Sequence, residues 1–435
     1  MAHSKVKNAN ISYSSAASGA KEKKKHRLNN AFVLLLITVF QLISAVQTVF
    51  DSDGEIRQDI VFVFGAYIVI EWLWLIISRL AFKRKSFELE LIGFFLTGIG
   101  LTVVASVFPG DLIKQFVAFL LGLTVFELIL WFVADIKRIE WSSVPLAIAS
   151  VALLALNLIL AEATNGALNW ITVFGISFQP SEFVKIAFIF VGASTLEKLQ
   201  STRSLLKYIV FSVVCIGCLF LMYDFGAALI FFFTFILISF MRSGDIRTIA
   251  VVCGAALLGA ILILIFKPYV AERFATYRHI WEYPDAGGYQ QTRVLIYAAS
   301  GGLFGTGIGR GELRNIFAST TDLVFGVLCE EWGVILAIAV VLAYGFIAVH
   351  AIRSSQGARS SFFAIAATAA AGMMLFQTCL NVFGITDILP LTGVTLPFIS
   401  QGGSSMICSW ALLALIKACD LRTYPSFYEK VEAQR

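Results

Sequence analysis

The fold is decided by long apolar stretches. Residues 31–50 have the sequence AFVLLLITVFQLISAVQTVF, twenty residues without a charged side chain. A helix needs about 20 mainly apolar residues to cross the hydrocarbon core of a bilayer. Stretches of this kind recur along the chain without the two-residue alternation typical of strands. Because backbone polar groups in lipid must be satisfied internally, these unbroken runs predict a bundle of transmembrane helices.

The composition favours the same class of protein. Hydrophobic residues make up 58% of the 435 residues and charged residues 14%, whereas a soluble domain has roughly 25% charged residues. We predict an all-α polytopic membrane protein with about twelve spans, at residues 31–50, 60–79, 89–108, 112–134, 144–162, 182–197, 207–222, 225–241, 248–266, 325–349, 361–383 and 404–419. The seven cysteines lie in or beside apolar stretches, which argues against a disulfide framework.

The positions of lysine and arginine predict the orientation, because short cytoplasmic loops carry an excess of both. Basic residues are dense before residue 28 and recur in alternate short loops, for example at 79–85, whereas 51–59 is acidic. We therefore expect both termini in the cytoplasm. The first span has no small-residue cleavage site after it and is predicted to remain uncleaved. Segments 163–181, 267–323 and 384–403 are then extracellular.

The longest predicted outer loop, 267–323, is rich in arginine. It contains Arg273, Arg278, Arg293, Arg310 and Arg314, against the positive-inside tendency. A guanidinium fork matches the oxygens of a phosphate. These side chains therefore predict either a bound anionic headgroup or contacts with lipid phosphates at the interface.

Each of the three outer segments combines polar residues with glycine and proline. The first contains Asn165-Gly-Ala-Leu-Asn-Trp170, then Phe178-Gln-Pro-Ser-Glu182 and Lys185. The second contains Gly288-Tyr-Gln290, Ser300-Gly-Gly-Leu-Phe-Gly-Thr-Gly307, Thr320-Thr-Asp322 and Glu330-Glu-Trp-Gly333. The third is Leu389-Pro-Leu-Thr-Gly-Val-Thr-Leu-Pro-Phe-Ile-Ser-Gln-Gly-Gly-Ser-Ser405. The glycine run lacks the GK[ST] ending of a nucleotide loop, so tight turns or close approach to a sugar or phosphate are favoured.

Together these motifs resemble the SEDS family of RodA, FtsW and SpoVE over about residues 88–420. Asp224-Phe-Gly226 is similar to the family's Asp-Leu-Gly element. The resemblance implies a ten-helix core at 88–420. Residues 1–87 would then be a basic cytoplasmic terminus with two extra transmembrane helices, and 421–435 a cytoplasmic tail.

The resemblance also implies a function. SEDS proteins are peptidoglycan glycosyltransferases of the bacterial cytoplasmic membrane. They polymerise lipid II, an undecaprenyl-diphosphate-linked disaccharide pentapeptide, usually beside a class B penicillin-binding protein transpeptidase. Membrane lipids would be further partners, and nucleic acid would not. The family's essential aspartate corresponds to Asp322. Leu323, Trp332 and Gln401 depart from the family pattern and leave the shape of the substrate groove open.

The implied reaction needs few catalytic groups. A single displacement inverts the anomeric carbon and requires one base beside the acceptor hydroxyl. We predict Asp322 in that role, although a Thr-Asp pair before a helix is also typical of an N-cap. Arginines or a divalent cation, Mg²⁺ or Mn²⁺, could stabilise the departing diphosphate. No protein metal site is predicted.

Predicted substrate-binding residues come from the same outer segments: Trp170, Gln179, Ser181, Glu182, Lys185, Arg273, Gln290, Arg293, Gly301, Gly302, Glu330, Ser400, Gly402, Gly403 and Ser404. Several have a structural alternative. Glu182 and Lys185 share one helical face and could simply neutralise each other. Trp170 could anchor the chain at the interface. Ser400 and Ser404 could satisfy the backbone of an irregular segment.

Two other functions suit a polytopic protein of this kind. A lipid II flippase or transporter would show inverted repeats and paired broken helices near the midplane. The sequence has no evident repeat, and its motifs lie on the predicted outer side. A non-catalytic scaffold of the wall-synthesis complex would need no role for Asp322.

Overall fold

The computed structural model describes residues 29–50, 55–161, 168–173, 176–197, 202–243, 250, 253–254 and 276–424. Its helices are α1 (Asn30–Val49), α2 (Gln58–Leu80), α3 (Glu88–Val107), α4 (Leu112–Val133), α5 (Ile136–Leu160), α6 (Pro180–Glu197), α7 (Thr202–Leu221), α8 (Phe225–Ser243), α9 (Tyr289–Gly301), α10 (Val324–Glu331), α11 (Gly333–Ser355), α12 (Ser361–Ile385) and α13 (Gly403–Cys419). Strands β1 (Ile171–Val173) and β2 (Ile176–Phe178) pair in antiparallel fashion between α5 and α6.

The predicted all-α polytopic fold is confirmed. Seven helices within the described ranges, α1–α5, α11 and α12, are long and apolar enough to cross a membrane. Shorter apolar helices occur at Leu206–Leu221, Phe225–Met241 and Gly403–Cys419. The predicted span 248–266 lies outside the continuous described ranges.

The core is built around α13. Trp410 is fully buried, and the rings of Phe94, Phe119 and Phe126 lie 5.2, 5.8 and 5.8 Å from its ring. A Cβ on Gly122 would lie 3.0 Å from the Trp410 side chain. Small residues of this kind allow membrane helices to approach closely, so α4 can pack directly on α13.

The predicted span 325–349 is two helices in the structure. α10 ends at Glu331, and α11 begins at Gly333, whose φ is 83°. A Cβ on Gly333 would lie 2.3 Å from the carbonyl oxygen of Leu303. The break is needed because the outer segment packs its backbone directly against this turn.

The first two helices are joined to the core by buried polar contacts. Gln41 on α1 donates to Glu71 on α2 over 2.9 Å, and Tyr67 donates to the carbonyl of Phe94 on α3 over 2.7 Å. A Cβ on Gly98 of α3 would lie 2.9 Å from the Gln41 amide. Interhelical hydrogen bonds and close approach are the forces that hold membrane helices together.

Buried ion pairs tie the basic end of the bundle together. Arg84, placed in an inner loop by its sequence position, is only 7% exposed and forms bonds of 2.8 and 2.7 Å with the carboxylate of Glu127. Lys417 lies 2.8 Å from Glu90, and both are buried. Such charges persist in an interior because each has an opposite charge and hydrogen bonds.

The close contact between α3 and the third outer segment can be tested at Gly100. A Cβ there would lie 2.6 Å from the carbonyl oxygen of Phe398. We expect Gly100→Ala to lower the unfolding free energy by about 1–3 kcal/mol, because the segment must shift. Thermal unfolding of the detergent-solubilised protein measures this.

Gly345→Ala in α11 is the matched control, because a Cβ there meets no atom within 4 Å. Alanine is the better helix former, so this variant should unfold at the wild-type temperature or slightly above it. Equal melting temperatures for the two variants would show that the contact at Gly100 is unimportant.

Candidate functional site

Asp322 lies in a cavity on the side of the bundle that carries the three outer motifs. Its half-buried side chain lines a space of about 250 Å³ together with Gln290, Phe317, Pro390 and Gly393, among others. A Cβ on Gly393 would lie 3.3 Å from the Asp322 Oδ2, and the φ of Gly393 is 70°. Glycine therefore leaves room for the carboxylate and permits the turn that faces it.

The backbone carbonyls of residues 320–322 all accept hydrogen bonds, two from the third outer segment and one from α12. The Gln401 amide donates to the Thr320 carbonyl over 2.8 Å, and the Ser400 hydroxyl donates to the Thr321 carbonyl over 2.6 Å. Asn381 on α12 donates to the carbonyls of Asp322 and Val394, both over 2.8 Å. These bonds fix the backbone that carries the carboxylate. Each supplies a carbonyl with the hydrogen-bond partner that it would otherwise lose when it is buried away from water.

The third segment is irregular and deeply buried. Leu396, Phe398 and Ile399 are at most 1% exposed. Tyr344 donates to the carbonyl of Pro397 over 2.5 Å, the Phe398 amide donates to Ser409 over 3.1 Å, and the Gly402 amide donates to Gln115 over 3.0 Å. Side chains from α4, α11 and α13 thus take the place of backbone partners.

Glu182 and Lys185 form a buried pair on α6. The Lys185 Nζ lies 2.5 Å from Glu182 and 3.0 Å from the Gln377 Oε1. The side chain of Lys185 is 2% exposed, and that of Glu182 is 8% exposed. The Gln377 amide nitrogen in turn donates to the carbonyl of Thr395 over 2.7 Å. The pair faces the bundle interior, and its predicted contact with substrate stays a prediction.

Gln377 and Asn381 connect the buried pair with Asp322. They are four residues apart on α12, hence on one face and about 6 Å apart along the axis. Gln377 contacts Lys185, whereas Asn381 contacts Asp322. Neither residue belongs to the motifs of the three outer segments. Two polar side chains at this spacing in an otherwise apolar span were the available signal.

Gln179 and Ser404 meet beside Asp224. The Gln179 side chain donates to Asp224 over 3.1 Å, and its backbone amide donates to the Ser404 hydroxyl over 3.3 Å. Asp224 also accepts from the Ala227 amide over 3.0 Å, at the start of α8. Gln179 therefore joins the family-like Asp-Phe-Gly element to Ser404 of the third outer segment.

Glu330 and Gly301 pack the second outer segment onto α10. Glu330 is 2% exposed, and its carboxylate accepts from the amides of Glu312 and Leu313 over 2.7 and 3.0 Å. A Cβ on Gly301 would lie 2.2 Å from the carbonyl of Cys329. Glu330 does not line the Asp322 cavity.

The other predicted site residues are spread around this centre. Gln290 lines the cavity and donates to the Phe317 carbonyl over 3.2 Å. Arg293 lies 3.6 Å from Asp285 and is 35% exposed. Ser181 is buried, and its hydroxyl has no hydrogen-bond partner among the described residues. Arg273 lies outside the described residues.

Three more predicted residues have few contacts of their own. Trp170 is half-buried beside β1. A Cβ on Gly302, whose φ is 56°, would meet nothing within 4 Å. One on Gly403 would meet only Ala118, at 3.8 Å. Their predicted contacts with substrate stay predictions.

The donors around Asp322 do not suit a protein-held metal ion. Across the described ranges, no group of three or more His, Cys, Asp or Glu is placed to hold one. Asp322 is the one carboxylate among the residues lining its cavity. Mg²⁺ is usually held by one or two carboxylates together with substrate phosphates, so a cation in this cavity would also need the diphosphate of the substrate as a ligand.

Comparison with known proteins gives consistent matches. Residues 106–424 match the family model FtsW/RodA/SpoVE, described as cell cycle protein. The peptidoglycan glycosyltransferase RodA of Mycobacterium tuberculosis (strain H37Rv) is 28% identical over 322 residues, covering 70% of this chain and 69% of that protein. The probable peptidoglycan glycosyltransferase FtsW of Wigglesworthia glossinidia brevipalpis is 30% identical over 304 residues, covering 68% of this chain and 80% of that protein.

A solved structure agrees with the sequence matches. One chain of a peptidoglycan synthase complex, described for its coordination of polymerization and crosslinking, superposes with a TM-score of 0.64 at 27% identity. The match covers 76% of this chain and 96% of that chain. Since the family model alone spans well over half of the chain, the resemblance seen in the sequence is confirmed, and the protein belongs to the FtsW/RodA/SpoVE family.

Proposed function

We propose that this protein is a peptidoglycan glycosyltransferase that polymerises lipid II at the outer face of the cytoplasmic membrane, with Asp322 as the general base. Its relatives include one named peptidoglycan glycosyltransferase RodA and one named probable peptidoglycan glycosyltransferase FtsW. The observation that carries the proposal is the placement of Asp322. Its carboxylate faces a cavity, while its backbone is held by Asn381.

The reaction is a single displacement. The acceptor hydroxyl oxygen bonds to the anomeric carbon of the donor, and the bond from that carbon to the diphosphate oxygen breaks. Asp322 takes the hydroxyl proton, and the diphosphate leaves as an anion. Proton transfer to a positioned base typically contributes about 10²- to 10⁴-fold in rate.

Two side chains on α9 are suited to the substrate's polar groups. Gln290 lines the cavity with Asp322, and Arg293 follows it by three residues on the same helical face. The guanidinium of Arg293 is partly exposed and can bind diphosphate oxygens in a fork. We assign Arg293 to the leaving group and Gln290 to a sugar.

The setting of the reaction follows from the orientation predicted above. Both termini would be cytoplasmic, so the Asp322 cavity would open outside, where lipid II presents its sugars. A class B penicillin-binding protein is the proposed partner, in line with the solved peptidoglycan synthase complex that the chain resembles. No contact in the described residues specifically favours the flippase alternative.

Asp322→Asn tests the catalytic assignment. The amide keeps the shape of the side chain but cannot accept the proton, so polymer formed from lipid II by the full chain with its transpeptidase partner should fall at least about 10²-fold. Binding of lipid II should remain within a few-fold. Gel separation of labelled glycan strands measures the product.

Glu282→Gln is the matched control, a carboxylate in the same outer segment that is 65% exposed and outside the cavity lining. Its polymer yield should equal that of the wild type. Undiminished polymerisation by the Asp322 variant would refute the base assignment. Translocation of lipid II across vesicle membranes that survives Asp322→Asn would instead favour the flippase.

Lys185→Met tests whether the buried pair positions the site. The change leaves the Glu182 carboxylate buried without its cation and should cost about 3–5 kcal/mol of stability. The double variant E182Q/K185M removes both charges and should recover most of the melting temperature. Because Gln377 then loses the lysine that orients it, polymer yield should stay at least about tenfold below wild type.

The two measurements together separate the roles of the pair. Recovery of both melting temperature and polymer yield in the double variant would mean that the pair only neutralises itself. Recovery of neither would mean that the two charges are required for folding, which also contradicts a positioning role.

A further inference from the structure

A second, larger cavity lies at the opposite, basic end of the bundle. It has a volume of about 910 Å³ and is bounded by α1, the end of α2, the start of α3 and Phe346 of α11. None of its lining residues belongs to the Asp322 site. It forms where the first two helices meet the remainder of the protein.

The mouth and the walls of this cavity differ in chemistry. The polar part of the lining, which we call the mouth, consists of the exposed Asn29, Arg79, Lys85 and Glu88 together with the buried Arg84. The walls are apolar and consist of Val33, Ile37, Phe87, Leu91, Ile92, Phe95 and Phe346. From Asn30 to Ile37 the lining runs seven residues along α1, about 10 Å of helix rise. A polar mouth above an apolar shaft of this depth matches an amphipathic ligand.

The charge of the mouth favours an anion. Three basic residues and one acidic residue line it. Glu88 lies 3.3 Å from Arg422, and Arg84 is paired with Glu127. The local charge stays positive when Glu127, Arg422 and Asp420 are included. Arg84 is 7% exposed, and its Nε has no hydrogen-bond partner among the described residues.

The apolar wall favours a lipid over a soluble anion as the ligand of this cavity. Phe346 is 65% exposed on the outer surface of a spanning helix, so the cavity has an edge on the lipid side. Basic pockets between transmembrane helices are known to bind anionic headgroups. We propose that this cavity holds an anionic phospholipid from the adjacent leaflet, with its phosphate at Arg79 and Lys85 and an acyl chain along α3.

The proposal does not rest on the glycosyltransferase activity and is tested by lipid titration. Dioleoyl phosphatidylglycerol is added to the purified full chain in neutral detergent, and the melting temperature is followed, because a ligand of the folded state raises it. Dioleoyl phosphatidylcholine and glycerol phosphate serve as parallel additives. Phosphatidylglycerol should stabilise the protein more than either.

The variants separate the cavity from general surface charge. R79Q/K85Q should weaken the apparent affinity for phosphatidylglycerol about thirtyfold. K83Q, an exposed basic residue outside the lining, is the matched control and should leave it unchanged. Ile92→Trp should weaken it by filling the apolar wall while every charge remains. Arg84 is not used, because its loss would leave Glu127 without its partner.

Four results would overturn the proposal. Equal weakening by K83Q and R79Q/K85Q would show diffuse attraction to the surface. Stabilisation by glycerol phosphate equal to that by phosphatidylglycerol would identify a soluble anion instead. Stabilisation by phosphatidylcholine equal to that by phosphatidylglycerol would show that the cavity does not hold the anionic lipid. Full affinity of Ile92→Trp for phosphatidylglycerol would show the same.

Discussion

The site depends on hydrogen bonds that the protein itself supplies to an irregular backbone. One of them is the 2.6 Å bond from the Ser400 hydroxyl to the Thr321 carbonyl. An irregular backbone inside a membrane protein must find all its partners within the protein. Here Gln115, Tyr344, Asn381 and Ser409 supply them from four helices. The third outer segment consequently has hydrogen-bond partners on four helices, although it has no regular secondary structure.

Contacts with the same segment and with α12 also hold Asp322 in place. Asp322 has Asn381 on its backbone and Gly393 against its side chain. One turn along α12, Gln377 joins the same segment to the buried Glu182 and Lys185 pair. A base must lie within about 2.6–3.2 Å of the group whose proton it removes. Contacts with both its backbone and its side chain therefore suit Asp322 to this role, because they keep the carboxylate in one position. The buried charges, costly in lipid, are explained by the same network.

The sequence predicted the helical class, because apolar runs of twenty residues admit few other folds. It also predicted the three outer motifs, since their glycines and prolines interrupt that pattern. It did not predict the break at Trp332, because the apolar residues continue through it and only the tertiary contact of Gly333 with Leu303 requires it. The burial of Arg84 was missed for a similar reason, since Glu127 is 43 residues away in sequence.

The site was predictable by type but not by contact. Asp322, Gln290 and Lys185 could be chosen from the motifs. Gln377 and Asn381 lie outside the motifs, and only their polar character within an apolar span marks them in the sequence. Glu330 was chosen for its spacing from Asp322, and its carboxylate instead binds two amides of the outer segment. Such pairings depend on how loops fold back, which no local pattern encodes.

The most direct measurement is a structure of the full-length D322N variant with lipid II bound at donor and acceptor positions. If Asp322 is the base, the acceptor hydroxyl oxygen will lie within about 2.6–3.2 Å of the side chain at position 322, with the donor anomeric carbon beyond it. Lipid II bound with its sugars away from this cavity, or with position 322 turned from both, would contradict the account.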